Sequence, residues 1–422
     1  MLCIARCLTR STHSARHVHV VTRHWASSGV RQKDRFKILF CGSDAFSVAS
    51  LQAVLDAKEL WESIHVVTPT ERKIGRAGAG RQSHKPLDKY RPTLRQFAED
   101  YDLPTSVVPG TGLRGWTPPK PFDELSDSHL LLTASFGHII PNPFLDLFPA
   151  SNRLNVHPSL LPRYRGAAPI QWTIVNGEEQ TGVSVQRLVR RDQGIDAGHL
   201  LGTVDGIEVP KDATYWSLLP VLADAGAKLL VQVLREMLNG TVVATPQHQW
   251  LVSHAPKIKH TTAQVRWGEQ SASSLERLSR GISHQEPLWT SMDQGQTKVQ
   301  LTGLTVARGP LPPSLSLDSP RPGIAFLDKH HDPKRLLVAC APDAFSDTDS
   351  ELQSGVKETE AGAPTWLDVG SLKTEGRKEL PAGEWWNGLP KGIRQSGKIS
   401  FDIPMPPVPA ALASAEGDTP LR

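Results

Sequence analysis

Between Phe36 and Gly240, short apolar runs alternate with stretches of helical periodicity, and this alternation leaves few architectures open to the chain. Phe36-Lys37-Ile38-Leu39-Phe40-Cys41-Gly42 reads as a buried strand closed by glycine. Ser43 or Asp44 can cap the helix that follows, whose apolar face is Phe46, Val48, Leu51, Val54 and Leu55. Further strands are predicted at Ile64–Val67, Ser106–Val108, Leu130–Ala134, Leu154–Val156 and Val183–Val185, with a helix over 87–100. A long helix over 214–238 repeats Leu218, Leu222, Ala225, Leu229 and Val233, and Gly240 stands where a C-terminal cap belongs. This order predicts an α/β, Rossmann-like domain over 35–240, with a parallel sheet and helices on its faces.

After Thr241 the pattern changes. Residues 241–256 read as a linker, and 257–400 as a smaller β-barrel, OB-like domain. Its strands are predicted at Val265–Trp267, Val299–Leu301, Leu304–Val306, Ile324–Phe326 and Leu336–Ala339, with one clear helix near Ser273–Gly281. Residues 310–322 form a Pro/Ser-rich loop. Residues 346–364 are acidic, Ser/Gly-rich, lack aromatics and read as a disordered insertion, and 401–422 as a disordered tail.

The N-terminus carries a different signal. No acidic residue precedes Asp34, and Arg6, Arg10, Arg16, Arg23 and Arg31 are spread among Ser, Thr, His and small apolar residues. That is the composition of a mitochondrial transit peptide over 1–34, and it places the protein in the mitochondrial matrix; the alternative is a disordered basic tail. The formal net charge of +4 allows a polyanionic partner without requiring one. The four cysteines show neither structural-zinc spacing nor a disulfide framework, and no metal is expected. No uninterrupted apolar stretch is long enough to span a bilayer, so a soluble monomer with no membrane partner is expected.

The first strand-to-helix turn, Gly42-Ser43-Asp44-Ala45-Phe46, lacks the glycine spacing that brings backbone against a dinucleotide pyrophosphate, and no Walker A sequence occurs. The densest segment is Leu154-Asn155-Val156-His157-Pro158-Ser159-Leu160-Leu161-Pro162-Arg163-Tyr164-Arg165-Gly166-Ala167-Ala168-Pro169-Ile170. Asn155 and His157 are two apart on a strand and share a face. Ligands of open α/β sheets sit beyond the carboxyl ends of strands. An amide there can donate to a developing oxyanion, and an imidazole can do the same or relay a proton. Taken alone, the pair could equally be a satisfied polar closure of a strand.

The segment His157–Gln171 resembles the central motif of methionyl-tRNA formyltransferases. Gly182-Val183-Ser184-Val185-Gln186 leading to Gly194-Ile195-Asp196-Ala197-Gly198 is similar to that family's strand-to-acid motif. The resemblance implies a catalytic set of Asn155, His157 and Asp196; Gly198 completes the Asp-x-Gly pattern that favours Asp196 over Asp192. It implies 10-formyltetrahydrofolate as co-substrate, held by Phe136, Ile139 and Ile140 and by the loop Ser159, Leu160, Leu161 and Pro162. It implies initiator methionyl-tRNA as partner. The Gly-punctuated basic loop over 70–85, with Arg72, Lys73, Arg76, Arg81 and Lys85, would meet the acceptor stem, since such cations supply phosphate affinity. Arg163 and Arg165 would contact the acceptor end or brace the motif loop. The segments 110–124 and 346–364 look like insertions.

In the implied reaction a neutral amine attacks the formyl carbon. Asn155 and a protonated His157 would stabilise the oxyanion, and Asp196 would orient His157 and pair with its charged form. Rival readings are a formyltransferase for glycinamide ribonucleotide or an amino sugar, a folate-dependent hydrolase, and a non-catalytic RNA-binding protein on the same scaffold.

Overall fold

The computed structural model describes residues 34–73, 89–308, 320–343 and 364–402. The transit-peptide expectation, most of the basic loop, most of the 310–322 and 346–364 segments and nearly all of the tail lie outside these residues.

The N-terminal half contains, in chain order, β1 (Phe36–Gly42), α1 (Ala45–Asp56), β2 (Trp61–Pro69), β3 (Arg72–Lys73), β4 (Lys89–Tyr90), α2 (Thr93–Asp100), β5 (Thr105–Val108), β6 (His129–Ala134) and α3 (Asn142–Leu145). It continues with β7 (Arg153–His157), β8 (Arg165–Gly166), α4 (Pro169–Val175), β9 (Gln180–Arg187), β10 (Leu200–Glu208) and α5 (Tyr215–Asn239). The main sheet has the order β10-β9-β7-β6-β1-β2-β5. From β5 to β7 neighbouring strands are parallel, while β9 and β10 run antiparallel, so the expected parallel sheet carries an antiparallel margin. The chain moves outward from β1 to β5 and returns at β6, which puts a topological switch point between β1 and β6. Ligands of such sheets bind at that crevice.

The predicted caps at Asp44 and Gly240 hold, and Thr214 adds a third that was not predicted. Asp44 is the N-cap of α1 and accepts from the Phe46 and Ser47 amides. Thr214 caps α5, and Gly240 closes it in the left-handed region at φ 68°. The helix expected over 87–100 begins only at Thr93, because Pro92 precedes it and disfavours helical backbone in the residue before, and Lys89–Tyr90 pairs instead with Arg72–Lys73. By length and composition α5 could cross a membrane, but it is a core helix here: Leu222, Leu230 and Leu234 are fully buried beneath α1 and the sheet. The longer helices α1, α2 and α5 cover one sheet face. The other is closed by α3 and the 110–124 segment, whose Leu113 and Phe122 are buried against Leu39, Val67 and Leu131.

After β11 (His254–Ala255) and α6 (Ala272–Ile282), the C-terminal half contains β12 (Trp289–Met292), β13 (Thr297–Val306), β14 (Ile324–Asp328), β15 (Arg335–Cys340), β16 (Thr365–Thr374) and β17 (Leu380–Pro381). It ends in α7 (Ala382–Asn387), α8 (Lys391–Ser396) and β18 (Lys398–Ser400). These strands form an antiparallel half-barrel, in the order β12-β13-β16-β15-β14-β18 with β17 on β16. Two expected strands, Val299–Leu301 and Leu304–Val306, are one strand, β13. Val265–Trp267 is not a strand: Trp267 is fully buried as a core side chain, and only Gln264 makes an isolated bridge. The halves interlock where α4 crosses α6. A Cβ on Gly281 would lie 2.9 Å from the Gln171 carbonyl oxygen, so only glycine permits this approach.

Candidate functional site

The carboxyl ends of β1, β6 and β7 open onto a cavity of about 580 Å³. Asp44, Thr133, Asn155, His157, Gln186 and Asp196 supply its polar wall, and Phe136, Ile139, Ile140 and Leu145 part of its apolar wall. Its volume falls in the range of small-molecule sites, roughly 300–1,000 Å³.

Asn155 and His157 project from one face of β7 as their spacing requires, beside Gln186 and Ser184 of antiparallel β9. The Thr133 hydroxyl donates to Asn155 Oδ1 at 2.8 Å. An amide oxygen so engaged turns the Asn155 NH₂ toward Asp196, whose Oδ1 lies 3.5 Å from Nδ2. His157 is 4% exposed. Its Nε2 lies 2.9 Å from the Tyr164 carbonyl oxygen. A carbonyl only accepts, so Nε2 carries the hydrogen and Nδ1 is the nitrogen facing the site. Nδ1 stands 3.8 Å from Asp196 Oδ2, beyond hydrogen-bond length but within the small closure by which catalytic contacts tighten on substrate.

Asp196 reaches the site from the loop between β9 and β10. Its backbone is left-handed, at φ 52°, a conformation that non-glycine residues hold only when their surroundings enforce it. Those surroundings are specific. Oδ1 accepts from Gln186 Nε2 at 2.8 Å, and Oδ2 from the Gly166 amide at 2.9 Å. Gly198 must be glycine, since a Cβ there would overlap the Arg187 carbonyl oxygen. Asp192 does not line the cavity.

Of the residues expected to hold the folate, Phe136, Ile139 and Ile140 line the cavity, and Ser159, Leu160, Leu161 and Pro162 do not. The loop's polar groups are already bonded. Ser184 Oγ donates to the Ser159 carbonyl at 2.8 Å and accepts from the Leu161 amide at 3.0 Å, and Ser159 Oγ donates to the Arg163 carbonyl at 2.7 Å. This loop buttresses the strand ends, and none of its four residues forms part of the cavity wall. Arg187, absent from the sequence expectations, lines the cavity and keeps its Nε buried with no partner among the described residues. An orphan donor above an apolar floor fits a ligand that is part aromatic and part hydrogen-bond acceptor, as a reduced folate is.

Among the expected tRNA contacts, Arg72 and Lys73 form β3, while Arg76, Arg81 and Lys85 lie outside the described residues. Arg163 is exposed and pairs with Glu178. Arg165 is 7% exposed, with Nε and Nη2 donating to Gln247 Oε1 at 2.9 and 2.6 Å. Of the two roles open to it, Arg165 braces the loop; its burial corrects the acceptor-end contact. Gln186 and Gln247, both buried, were not singled out in the sequence. Their only signal was Gln186's place at the end of a strand beside Asn155.

Residues 122–234 match the formyl transferase family, and residues 257–390 the formyl transferase C-terminal domain. The methionyl-tRNA formyltransferase of Acidobacterium capsulatum is 30% identical over 352 residues, spanning 83% of this chain and 96% of that protein. That of Syntrophus aciditrophicus is 32% identical over 265 residues, 63% of this chain and 78% of the relative. The crystal structure of WlaRD, a sugar 3N-formyl transferase in the presence of dTDP and 5-N-formyl-THF, covers 82% of this chain and 100% of its own at TM-score 0.50 and 14% identity. That likeness is one of fold.

Proposed function

The chain belongs to the methionyl-tRNA formyltransferase family, and from that membership we propose that it transfers the formyl group of 10-formyltetrahydrofolate to the α-amino group of methionyl-tRNA. The observation that carries this reading is the convergence of Asn155, His157 and Asp196 on one cavity at the switch point of the sheet. In the proposed reaction the folate occupies the cavity with its ring system against Phe136, Ile139 and Ile140. The neutral amine attacks the formyl carbon, and the tetrahedral oxyanion forms beside the Asn155 amide. Thr133 holds that amide oxygen, so the donor hydrogens are preset toward the reacting centre and need no reorganisation. His157 Nδ1, the ring nitrogen left for chemistry, exchanges the proton that the amine loses and the folate nitrogen gains as the carbon–nitrogen bond breaks. Asp196 keeps the imidazolium form paired.

We further propose that residues 1–34 direct the protein to the mitochondrial matrix, where the product would serve initiator tRNA. The Arg-rich composition, free of acid until Asp34, supports this reading. Fusing residues 1–34 to a fluorescent protein checks it; a diffuse cytosolic signal would sink it.

The activity is tested with purified protein, 10-formyltetrahydrofolate, and methionyl-tRNA in parallel with free methionine, glycinamide ribonucleotide and an amino sugar. Rapid consumption of methionyl-tRNA alone is expected. Faster formylation of the ribonucleotide or sugar would replace the proposed acceptor. Formate release without any acceptor would indicate a hydrolase, and tRNA binding without turnover a silent binding protein.

A further inference from the structure

Gln247 lies 51 residues beyond Asp196, in the segment joining α5 to β11. Its side chain is 8% exposed, and all of its polar capacity is used. Nε2 donates to the backbone carbonyls of Asp196 at 2.8 Å and Gly198 at 2.7 Å, with Gln186 Oε1 a longer contact at 3.3 Å. Oε1 accepts both Arg165 donors. The orientation of this amide is fixed by chemistry: a guanidinium can only donate, so the oxygen faces Arg165 and the NH₂ faces the carbonyls.

The same segment is anchored on both sides of Gln247. Two residues before it, Thr245 and Leu200 exchange backbone hydrogen bonds at 2.8 and 2.9 Å. Beyond it, β11 pairs with β8, and Ser253 Oγ accepts from the Tyr164 amide at 2.8 Å. Tyr164 is the residue whose carbonyl holds His157 Nε2. The stretch expected to act as a linker thus touches the supports of both Asp196 and His157.

Asp196 needs such support. A non-glycine residue keeps a left-handed backbone only where neighbours enforce it, and Gln247 grips the carbonyls of Asp196 and Gly198 within that turn. Resting on the formyl-transfer reading above, we propose that Gln247 is a positioning residue. It holds Asp196 against Asn155 and His157, so the segment between the two halves completes the reaction centre.

The competing role is a plain core brace, and Gln247→Glu separates the two. The replacement is nearly isosteric and keeps an acceptor for both Arg165 donors, but it presents an oxygen where two carbonyl oxygens need N–H donors. With methionyl-tRNA and 10-formyltetrahydrofolate, we expect kcat per folded molecule to fall about 10- to 100-fold, the scale of a misplaced catalytic group. The KM for the folate should stay within about twofold, because its apolar wall is untouched. If the Glu variant does not fold, Gln247→Met, uncharged and of similar length, is read in the same way. Wild-type kcat in whichever variant folds overturns the proposal. So does a loss of activity that matches the loss of folded protein and leaves kcat per folded molecule intact. A wild-type enzyme that does not formylate methionyl-tRNA would instead overturn the function on which the proposal rests, and the two failures are read from separate columns of one assay.

Discussion

In the N-terminal half, buried polar side chains gather at the strand ends: Thr133 on β6, His157 on β7, Ser184 and Gln186 on β9, with Arg165 on β8 and Gln247 from the segment before β11. Nearly all are bonded to one another or to the backbone they support. The C-terminal half-barrel is built the other way. Its interior is Val299, Leu301, Leu336, Val338, Leu367 and Val369 packed around Trp267, and its buried polar side chains among the described residues are few: Ser271, Thr290, which accepts from Trp267, and Asp328, which pairs with Arg335. Each half has a seven-stranded sheet, so strand number does not separate them. What differs is where the desolvation cost of polar groups is met. One half bonds those groups to each other at a cavity mouth, where they can meet a substrate; the other buries few of them. Damage should therefore appear as lost rate in the first and lost stability in the second.

The largest effect is expected in the dry half. Trp267 is fully buried, donates from Nε1 to Thr290 Oγ1 at 2.9 Å and stacks on Phe401. Trp267→Ala should cost about 3–5 kcal/mol of stability through the cavity it leaves, measured as a shift in denaturation midpoint. An unmoved midpoint would break the contrast at its strongest point. Next comes Asn155→Ala in the polar half. It is partly exposed at the cavity, so stability should change by about 1 kcal/mol or less, while kcat falls about 10²- to 10³-fold with the oxyanion donor gone. A mutant that unfolds without a rate defect per folded molecule would place Asn155 in the same category as Trp267.

Thr133→Val sharpens the comparison further. The substitution removes the donor that orients Asn155 and keeps the shape. About a fivefold fall in kcat is expected, the equivalent of one neutral hydrogen bond of about 1 kcal/mol. Equal losses of kcat and stability would mean that Thr133 supports the sheet and not the amide.

How much of this could be read in the sequence follows from how local each cause is. Asp44 and Gly240 act within one helical turn, and their roles were legible. The pairing of Asn155 with His157 followed from strand periodicity alone. β10 was not legible, because it is an edge strand whose residues Thr203 to Gly206 are largely exposed and show no apolar alternation. The bracing of the Ser159–Pro162 loop was not legible, because its partner, Ser184, lies 23 to 25 residues away on β9. Gln186 closes the strand half of the strand-to-acid motif and Gln247 belongs to none, and neither reads as a support. An amide becomes a support only through the carbonyls and guanidinium that the tertiary fold brings to it. The antiparallel direction of β9 was hidden for the same reason, since a short apolar strand reads alike in either sense.

The smallest effect concerns Asp44, where the two kinds of environment meet. It caps α1 by accepting from the Phe46 and Ser47 amides, and it also lines the cavity. Burial pushes its carboxyl above the usual carboxylate range, and hydrogen bonds from Ser47, Ser135 and Phe46 only partly offset this. A raised value means that the folded state holds the proton more tightly than the unfolded chain. The resulting stability is fully present below the ordinary aspartate range and is lost as pH rises through the raised value. Asparagine caps a helix about as well as aspartate and does not ionise. The unfolding free energy of Asp44→Asn relative to wild type should therefore increase from acid toward neutral pH, by less than the effects above. Denaturation at a series of pH values measures it. A difference that shrinks with rising pH would mean that the helix terminus and its amide donors favour the carboxylate more than burial opposes it. Asp44 would then behave as a surface cap, and the polar network would end at β6.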